Sequence, residues 1–306
     1  MSVSHGVHSI DHYALNVPSL DEASQFFESF GLDVQREPHQ LLLRAADGHV
    51  WARILPADAK SLAYLSFNCY EQDYAALRQQ IEAAGGRFEQ RVETGIWFRD
   101  PDGNLLQVKV GDKTMPDQKA ACTTGGNPPN SRGACTRDAL AQVRPRRLSH
   151  VLLFTPDVLG ALSFYEQALG LKLSDKSLDI IAFSHAPHGC DHHLVAFAKS
   201  SAKGWHHAAW EVDNVNEVGA GASQMADAGH AKGWGTGRHC LGSNYFHYVQ
   251  DPWGSFCEYS ADMDYISEGV EWPAGDYSPQ NSLYLWGPDV PDNFISNTEA
   301  ITPAPA

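Results

Sequence analysis

Two stretches decide the fold of this chain: IDHYALNVPSLDEASQFFESFGLDV at residues 10–34 and LSHVLLFTPDVLGALSFYEQALGLKL at residues 148–173. Each begins with apolar residues around a histidine, passes a proline, continues with an aromatic pair and closes on Gly-Leu. This pattern predicts a strand followed by a helix. Gly31 and Gly170 stand where each helix would end, a position that favours the positive φ that glycine accepts. The chain is therefore predicted to contain a repeat of about 140 residues.

The two copies agree again further along the chain. Residues 61–86 and 205–230 each read as an apolar strand, a polar turn and an amphipathic helix. Residues 98–110 and 248–260 each carry Asp-Pro-x-Gly. Because Pro presets φ and Gly accepts a positive φ, a hairpin turn is expected there. We therefore predict an α+β fold of tandem βαβββ modules, forming two similar domains with curved, barrel-like mixed sheets.

Composition suggests the boundaries of these units. The predicted units are an N-terminal repeat domain (1–115), a linker (116–145), a C-terminal repeat domain (146–265) and a C-terminal tail (266–306). The linker follows from TTGGNPPNSRGACTR, which is rich in Gly, Pro, Asn and Ser. The tail carries Trp272, Tyr277, Leu283 and Trp286. Such large side chains favour packing on the body, and the tail is expected to lie near the active site.

Charge and cysteine content narrow the class of protein. The net charge of −15, without a run of Lys and Arg, disfavours binding to nucleic acid phosphates. The six cysteines include no CxxC pair, which favours reduced thiols. No apolar run is long enough to cross a membrane, and the N-terminus has no signal-peptide pattern. We therefore expect a cytoplasmic protein that acts on a small molecule.

The second copy of the repeat concentrates metal-ligating residue types near strand ends. His150 lies in its first strand, His206 and His207 begin a later strand, and Glu258 follows the Asp-Pro-Trp-Gly turn. Two imidazoles and one carboxylate on one side of an ion leave half of an octahedron open, which suits non-haem Fe(II) that binds substrate and O₂ together. Since neighbouring strand residues alternate, one of the two adjacent histidines should face inward, and alternation alone does not tell which.

The first copy serves as an internal control. Its equivalent residues are His12, Tyr64 and Gln107, which keep one imidazole but lack the second imidazole and the carboxylate. We therefore expect the N-terminal copy to hold no metal and the C-terminal copy to hold one ion.

These residues give the chain a resemblance to a known family. Residues 5–265 resemble the type I extradiol dioxygenases of the vicinal oxygen chelate superfamily, most specifically in GRHCLGSNYFHYVQDPWGSFCEY, residues 237–259. The family carries there a His, a Tyr, Asp-Pro-x-Gly and a ligand Glu, which His239, Tyr248 and Glu258 match. The resemblance implies the vicinal oxygen chelate, or glyoxalase-like, fold. It also implies that His150, His207 and Glu258 hold the metal, with His207 chosen over His206.

The resemblance implies roles for further residues. The stretch DHHLVAF supplies a catalytic histidine, matched by His193 with His192 as the alternative, that would hydrogen-bond the bound oxygen and act as acid and base. Tyr248 would hydrogen-bond a substrate hydroxyl oxygen, and His239 would be a second donor in the pocket. His247 replaces a residue that is usually apolar, and it lies either near the pocket wall or on the outer face.

The activity implied by the resemblance is extradiol cleavage of catechol or a substituted catechol by O₂ at a mononuclear Fe(II), with Mn(II) as the other candidate metal. The product would be of the muconic semialdehyde type. A neutral catechol is favoured, because AKGWGTGRH has Trp234 where members acting on carboxylated catechols carry Arg. A homo-oligomer, with a tetramer favoured, is implied as the assembly.

Two other functions on the same fold stay open at this point. A glyoxalase- or epimerase-like metal isomerase would draw its ligands from both modules and would not need the pair His193 and Tyr248. A metal-free small-molecule binding protein would not need His150, His207 and Glu258 together.

Overall fold

The structure is a computed structural model that describes residues 5–122, 127 and 129–300. The helices in these ranges are α1 (Leu20–Phe30), α2 (Glu71–Ala83), α3 (Val158–Leu169) and α4 (Val215–Asp227). The first half of the chain contains the strands β1 (Val7–Val17), β2 (Asp33–Glu37), β3 (Gln40–Arg44), β4 (Val50–Pro56), β5 (Ser61–Cys69), β6 (Arg87–Glu89), β7 (Ile96–Arg99) and β8 (Leu105–Val110). The second half contains β9 (Arg147–Thr155), β10 (Lys172–Ser177), β11 (Ile181–His185), β12 (Cys190–Asp191), β13 (Val195–Lys199), β14 (Gly204–Glu211), β15 (Gly233–Arg238), β16 (Tyr245–Gln250), β17 (Phe256–Ala261), β18 (Tyr265–Ile266) and β19 (Gly275–Asp276).

The strands build two large curved sheets of mixed direction with equivalent topologies. The first sheet has the order β2-β3-β4-β1-β5-β8-β7-β6, and the second has the order β15-β16-β17-β14-β9-β13-β11-β10-β19. The strand β1 pairs antiparallel with β5 and parallel with β4, just as β9 pairs antiparallel with β14 and parallel with β13. Each sheet thus contains two βαβββ modules, and the predicted α+β fold of tandem repeats is confirmed.

The helix that follows the first strand of each half is fixed at both ends by its own sequence. The side chains of Ser19 and Asp157 accept hydrogen bonds from backbone N–H groups in the first turns of α1 and α3. Gly31 and Gly170 end the same helices at φ 98° and 70°, as the sequence predicts. No helix in the described residues has the length and apolar character needed to cross a membrane.

The hydrophobic core is continuous between the two halves. The ring of Phe30 on α1 stacks on Tyr259 of β17 with centroids 4.0 Å apart, and the Tyr259 hydroxyl donates to the Phe30 carbonyl. Tyr13 of β1 packs on Trp205 of β14 at 4.8 Å. Since each such buried ring contributes roughly 1.5–3 kcal/mol, the two sheets support each other energetically.

The segments outside the sheets are irregular. Within 116–145, the described residues contain one 3₁₀ helix, Arg137–Ala139, and no strand. In the predicted tail, β19 pairs with β10 and Phe294 is buried, whereas Leu285 and Trp286 are exposed. The tail therefore packs through some of its large side chains and not through others. The boundaries of the four predicted units stay a prediction.

Candidate metal centre and substrate cavity

Two β-bulges in the pairing of β9 with β14 position the candidate ligands. The register shifts at Ser149, just before His150, and at His206, just before His207. At a bulge two successive residues oppose a single partner, so side chains cease to alternate regularly. As a result His206 and His207 are both buried, border the same cavity and have their Nδ1 atoms 2.6 Å apart. The expectation that one of them faces outward is wrong, because alternation applies to an unbulged strand.

The three predicted metal ligands converge on one point. The Nε2 atoms of His150 and His207 are 3.3 Å apart, and they lie 3.4 Å and 3.5 Å from Oε2 of Glu258. The circle through these three atoms has a radius of about 2.0 Å, so an ion at an ordinary bond length of roughly 2.0–2.2 Å reaches all three from one side of their plane. Within the described ranges, no other group of three His, Cys, Asp or Glu residues meets in this way.

The buried carboxylate of Glu258 fits a cation between these residues. Its side chain is fully buried, and Oε1 accepts a hydrogen bond from Asn244 Nδ2 at 3.0 Å. Oε2, the atom that faces the two imidazoles, has no hydrogen-bond partner. A buried carboxylate oxygen without a partner is costly, and a divalent ion bound at this point would compensate its charge. The donor set of two imidazoles and one carboxylate suits such an ion.

A hydrogen-bond chain orients His150. Its Nδ1 lies 3.2 Å from Ser149 Oγ, and that hydroxyl donates to Asp191 Oδ2 at 3.1 Å. Asp191 is also paired with the buried guanidinium of Arg147 at 2.9 Å. The Ser149 hydroxyl donates its only proton to Asp191. Its oxygen therefore accepts a hydrogen bond from Nδ1–H of His150. Nε2 of His150 is then left without a proton and can bind a metal.

The structure separates the two candidates for the oxygen-site histidine. His193 borders the cavity, and its ring centroid lies 4.1 Å from that of His150. His192 is fully buried behind it, where Nε2 donates to Asp175 Oδ2 at 2.8 Å. Nδ1 of His192 is therefore free to accept from Nδ1–H of His193, 3.1 Å away. Burial, with smaller contributions from neighbouring histidines, holds the pKa of His193 well below its usual value.

Tyr248 and His239 form a second polar pair at the cavity. The Tyr248 hydroxyl lies 2.9 Å from His239 Nε2, and His239 Nδ1 lies 2.5 Å from the Leu283 carbonyl. Since a carbonyl only accepts, Nδ1 of His239 donates to it and Nε2 accepts the Tyr248 proton. Burial raises the pKa of Tyr248 well above its usual value, with a further contribution from Glu258. His239 thus acts as an acceptor in this arrangement, and its predicted role as a donor stays a prediction.

Neighbouring polar side chains point elsewhere. The pairing of β16 with β17 has no bulge, so His247 lies on the face opposite to Tyr248. Of the two alternatives for His247, the structure shows the outer face. Arg238 donates to the Ser243 carbonyl and the Tyr245 hydroxyl. Trp234 lies parallel to the Tyr248 ring at 5.7 Å and supports it.

The cavity beside the three ligands is largely apolar. Its volume is about 260 Å³, and one wall comes from Leu152, Phe183 and Leu241. The C-terminal tail supplies another part of the lining, namely Pro279, Ser282, Leu283, Phe294 and Ile295. Sequence reasoning placed the tail near the active site and named Leu283 in it, but it did not single out the individual lining residues or Asn244. Asn244 lies inside residues 237–259, so it could have been found there, whereas no local pattern marks the tail residues.

In the first half of the chain, the positions equivalent to the three ligands hold side chains that bond to protein groups. Strand register makes Gln107 the equivalent of Glu258, because Ser66 pairs with Gln107 as Ala209 pairs with Glu258. Gln107 accepts from Ser66 Oγ at 2.6 Å and donates to the Thr94 carbonyl at 2.7 Å. The neutral amide is thus bonded on both sides.

The histidine of the first half is likewise bonded at both ring nitrogens. Nε2 of His12 lies 2.8 Å from the Tyr64 hydroxyl, and Nδ1 lies 2.5 Å from the Asp11 carboxylate. Asp11 stands at a bulge equivalent to that of Ser149. The two halves therefore share the bulged scaffold and differ in the side chains placed on it.

Paired sheets of tandem βαβββ modules, with one ligand triad in the second sheet, define the class of this protein. The chain belongs to the Glyoxalase/Bleomycin resistance protein/Dioxygenase superfamily, whose sequence model matches residues 9–108 and 147–259. Within that superfamily it is similar to metapyrocatechase 2 of Cupriavidus necator, with 61% identity over 300 residues that cover 97% of this chain and 94% of the relative. It is also similar to the 3-methylcatechol 2,3-dioxygenase of Pseudomonas putida, with 30% identity over 168 residues covering 52% of this chain and 53% of the relative. The resemblance to extradiol dioxygenases is confirmed.

Solved structures show the same fold at low sequence identity. The Mn(II)-bound glyoxalase from Novosphingobium aromaticivorans superposes with a TM-score of 0.77 at 23% identity, covering 94% of both chains. Homoprotocatechuate 2,3-dioxygenase from Arthrobacter globiformis superposes with a TM-score of 0.78 at 17% identity, covering 97% of this chain and 93% of the other. These similarities show the same fold over 94–97% of the chain.

Proposed function

We propose that this protein is an extradiol dioxygenase that cleaves the ring of catechol, or of a substituted catechol, with O₂ at a mononuclear Fe(II) held by His150, His207 and Glu258. The observation that carries this proposal is the triangle of ligand atoms with edges of 3.3–3.5 Å, two of whose residues, His150 and His207, line an apolar cavity. The similarity to metapyrocatechase 2 over nearly the whole chain supports the same activity.

The metal, when bound, would supply Lewis acidity toward the diol and relay electrons from the diol to O₂, with no net change in its own charge. The protein residues would handle protons and orientation. With Nδ1 of His193 donating to His192, its Nε2 is left without a proton and can take one from a catechol hydroxyl. Burial keeps this imidazole neutral, so it is ready as a base at neutral pH.

Tyr248 would orient the bound diol. Its raised pKa keeps the hydroxyl protonated, so the hydroxyl can donate to a deprotonated substrate oxygen. In the structure this proton is directed at His239 Nε2, 2.9 Å away, and a small rotation of the hydroxyl hydrogen redirects it. The Leu283 carbonyl holds His239 in the tautomer that accepts from Tyr248. Tyr248 thus exchanges its hydrogen bond to His239 for one to the substrate, and His239 Nε2 becomes free to accept a hydrogen bond from another group in the cavity.

The lining of the cavity favours a neutral substrate with an apolar substituent. Leu152, Phe183 and Leu241 provide apolar contacts beside the ligands. Apart from histidines, the only charged side chain along the described lining is Lys199. Lys199 is exposed and donates to Asp179 at 2.9 Å, so its charge is already compensated. A substrate carboxylate would enter this cavity without a partner, which is costly.

Ring cleavage under controlled oxygen tests this proposal. Protein purified without oxygen is loaded with Fe(II), mixed with catechol, 3-methylcatechol or a carboxylated catechol, and then exposed to air. A yellow semialdehyde product, with oxygen uptake equal to substrate consumed and a preference for the methylated over the carboxylated compound, is expected. Colourless muconate, or intact catechol after confirmed metal loading, would contradict the proposal.

Two controls complete this experiment. Free Fe(II) without protein measures background oxidation, and the Glu258→Gln variant measures turnover without the anionic ligand. Parallel loading with Mn(II) and metal analysis of the same samples decides between the two candidate metals. The predicted homo-oligomer is tested on these samples by light scattering.

A further inference from the structure

The side chain of His206 bridges the C-terminal tail and a proposed metal ligand. Its Nε2 lies 2.8 Å from the backbone carbonyl of Phe294, and its Nδ1 lies 2.6 Å from Nδ1 of His207. The ring is buried among the aromatic side chains of Phe154, Phe256 and Phe294, at centroid distances of 5.0, 5.5 and 4.9 Å. The imidazole therefore has both nitrogens engaged, and none of its hydrogen-bond partners among the described residues is a carboxylate.

These contacts fix the protons on both imidazoles. The Phe294 carbonyl can only accept, so Nε2 of His206 carries the proton. A second proton on this ring would leave a buried cation among aromatic side chains without a counter-charge, which is unfavourable. Nδ1 of His206 therefore accepts, and Nδ1 of His207 donates to it. The remaining nitrogen of His207, Nε2, is left with a free lone pair, and this is the atom that lies 3.5 Å from Glu258 Oε2.

We propose that His206 is a positioning residue for the metal centre, which transmits the orientation of the Phe294 carbonyl to His207 and holds His207 in its metal-binding tautomer. This inference rests on the metal site in the proposed function. A histidine ligand commonly donates its second ring N–H to a carboxylate, a carbonyl or water, and loss of that partner costs affinity. Here another imidazole takes that place, at a position made available by the bulge in β14.

The tail segment that carries the Phe294 carbonyl is itself anchored. Asn297 Nδ2 donates to the carbonyls of Ala202 and Lys203, at 2.9 and 3.1 Å, immediately before β14 begins. Glu299 pairs with the buried Lys60 at 2.7 Å, so the tail is also tied to the first half of the chain. The Phe294 carbonyl, which determines that Nε2 of His206 carries the proton, thus belongs to a segment that is held in place by these contacts. The tail has a role at the metal centre besides lining the cavity.

Two substitutions at position 206 separate hydrogen bonding from packing. His206→Asn can place its amide oxygen where Nδ1 stood, so it keeps an acceptor for His207 while losing ring volume and the hydrogen bond to the Phe294 carbonyl. His206→Phe keeps the volume and the aromatic contacts but offers no acceptor. If the hydrogen bond to His207 matters, the Asn variant binds metal more tightly than the Phe variant. If packing alone matters, the order is reversed.

The measurement is Fe(II) and Mn(II) affinity without substrate, by chelator competition under anaerobic conditions, with far-UV circular dichroism and thermal unfolding of the metal-free variants. His206→Phe is expected to lose about 10–100-fold in affinity, as is typical when the partner of a ligand histidine is removed. His206→Asn is expected to retain most of it. Equal affinity of His206→Phe and wild type, or an equal loss in both variants, would overturn the inference.

A second measurement keeps the inference testable if a variant does not fold. In Zn(II)-loaded wild-type protein with ¹⁵N-labelled histidine, Nε2 of His206 and Nδ1 of His207 should both appear as protonated nitrogens by NMR. A proton on Nδ1 of His206 would overturn the inference. If the wild type binds none of these metals, the proposed function fails instead, so the two failures are distinguishable.

Discussion

Replacement of Glu258 by Gln should have opposite effects on the metal-free and metal-loaded protein. The carboxylate is fully buried, and Oε2 has no hydrogen-bond partner while it faces the two imidazoles. Glutamine has nearly the same shape, carries no charge and can donate from its amide to Nε2 of His150 or His207. The variant therefore removes an uncompensated buried charge and adds a hydrogen bond when no metal is present.

The size of the effect follows from these two changes. A buried charge without a counter-ion costs several kcal/mol, and a new buried hydrogen bond contributes roughly 0.5–1.5 kcal/mol. Allowing for relaxation around the site, we expect the metal-free Glu258→Gln protein to be more stable than wild type by about 1–3 kcal/mol. Metal at about 100 times its dissociation constant stabilises the wild type by roughly 2.7 kcal/mol, and the variant should lose this gain.

The assay is thermal or denaturant unfolding at pH 8, with and without Mn(II). The matched control is Gln107→Glu, the reverse change at the equivalent position of the first half. Gln107 donates to the Thr94 carbonyl at 2.7 Å, and a carboxylate cannot make this bond. We expect Gln107→Glu to lose at least about 1–3 kcal/mol equally with and without metal.

One result would refute this reasoning directly. If metal-free Glu258→Gln is less stable than metal-free wild type, the carboxylate already has a favourable partner and is not held as an unpaired charge. If the variant is as strongly stabilised by Mn(II) as the wild type, Glu258 is not a ligand.

Three further predictions concern catalysis and pH. His193→Phe should retain wild-type metal content in elemental analysis while turnover falls by about 10²–10⁴-fold, and unchanged turnover would move the role to His192. Tyr248→Phe should lower kcat by up to about 10²–10³-fold with metal affinity retained, since one donor to the bound diol is removed, and an unchanged kcat would contradict its role. Burial, with smaller contributions from neighbouring charges, lowers the pKa of His8 and His185 to about 4. The unfolded chain binds these protons from about pH 6.5 downward, so the free energy of unfolding should fall between pH 6.5 and 4, by up to about 1.4 kcal/mol per pH unit for each histidine. Urea titrations check this slope, and stability that is constant across the window would contradict it.

The fold could be predicted from the sequence because the repeat shows the pattern of each element twice. The strand and helix beginning at Ile10 recur at Leu148, and the capping glycines Gly31 and Gly170 mark the same helix end. The register of the sheets then follows from the apolar pattern, since a slip by one residue would turn the buried face toward solvent. The equivalence of Glu258 and Gln107 could be predicted for this reason, and strand pairing confirms it.

The details that the sequence did not reveal depend on long-range contacts. A bulge is a local change in pairing, and the dipeptide His206-His207 looks like an ordinary alternating strand until β9 is placed beside it. The partners of His206 and His239 are backbone carbonyls of Phe294 and Leu283. Any residue type presents such a carbonyl, so no side-chain pattern could have marked either partner.

Comparison of the halves shows what a metal centre adds to the bulged scaffold. Two bulges of the first half, at Asp11 and Ala63, are equivalent to those of the second half at Ser149 and His206. Asp11 bonds the histidine beside it, as Ser149 does, so one bulge partner is present in both halves. Ala63 has no polar side chain, so a histidine at position 64 would lack the acceptor that His206 gives to His207. The metal centre therefore depends on the bulged partners of its ligands as well as on the three ligands themselves.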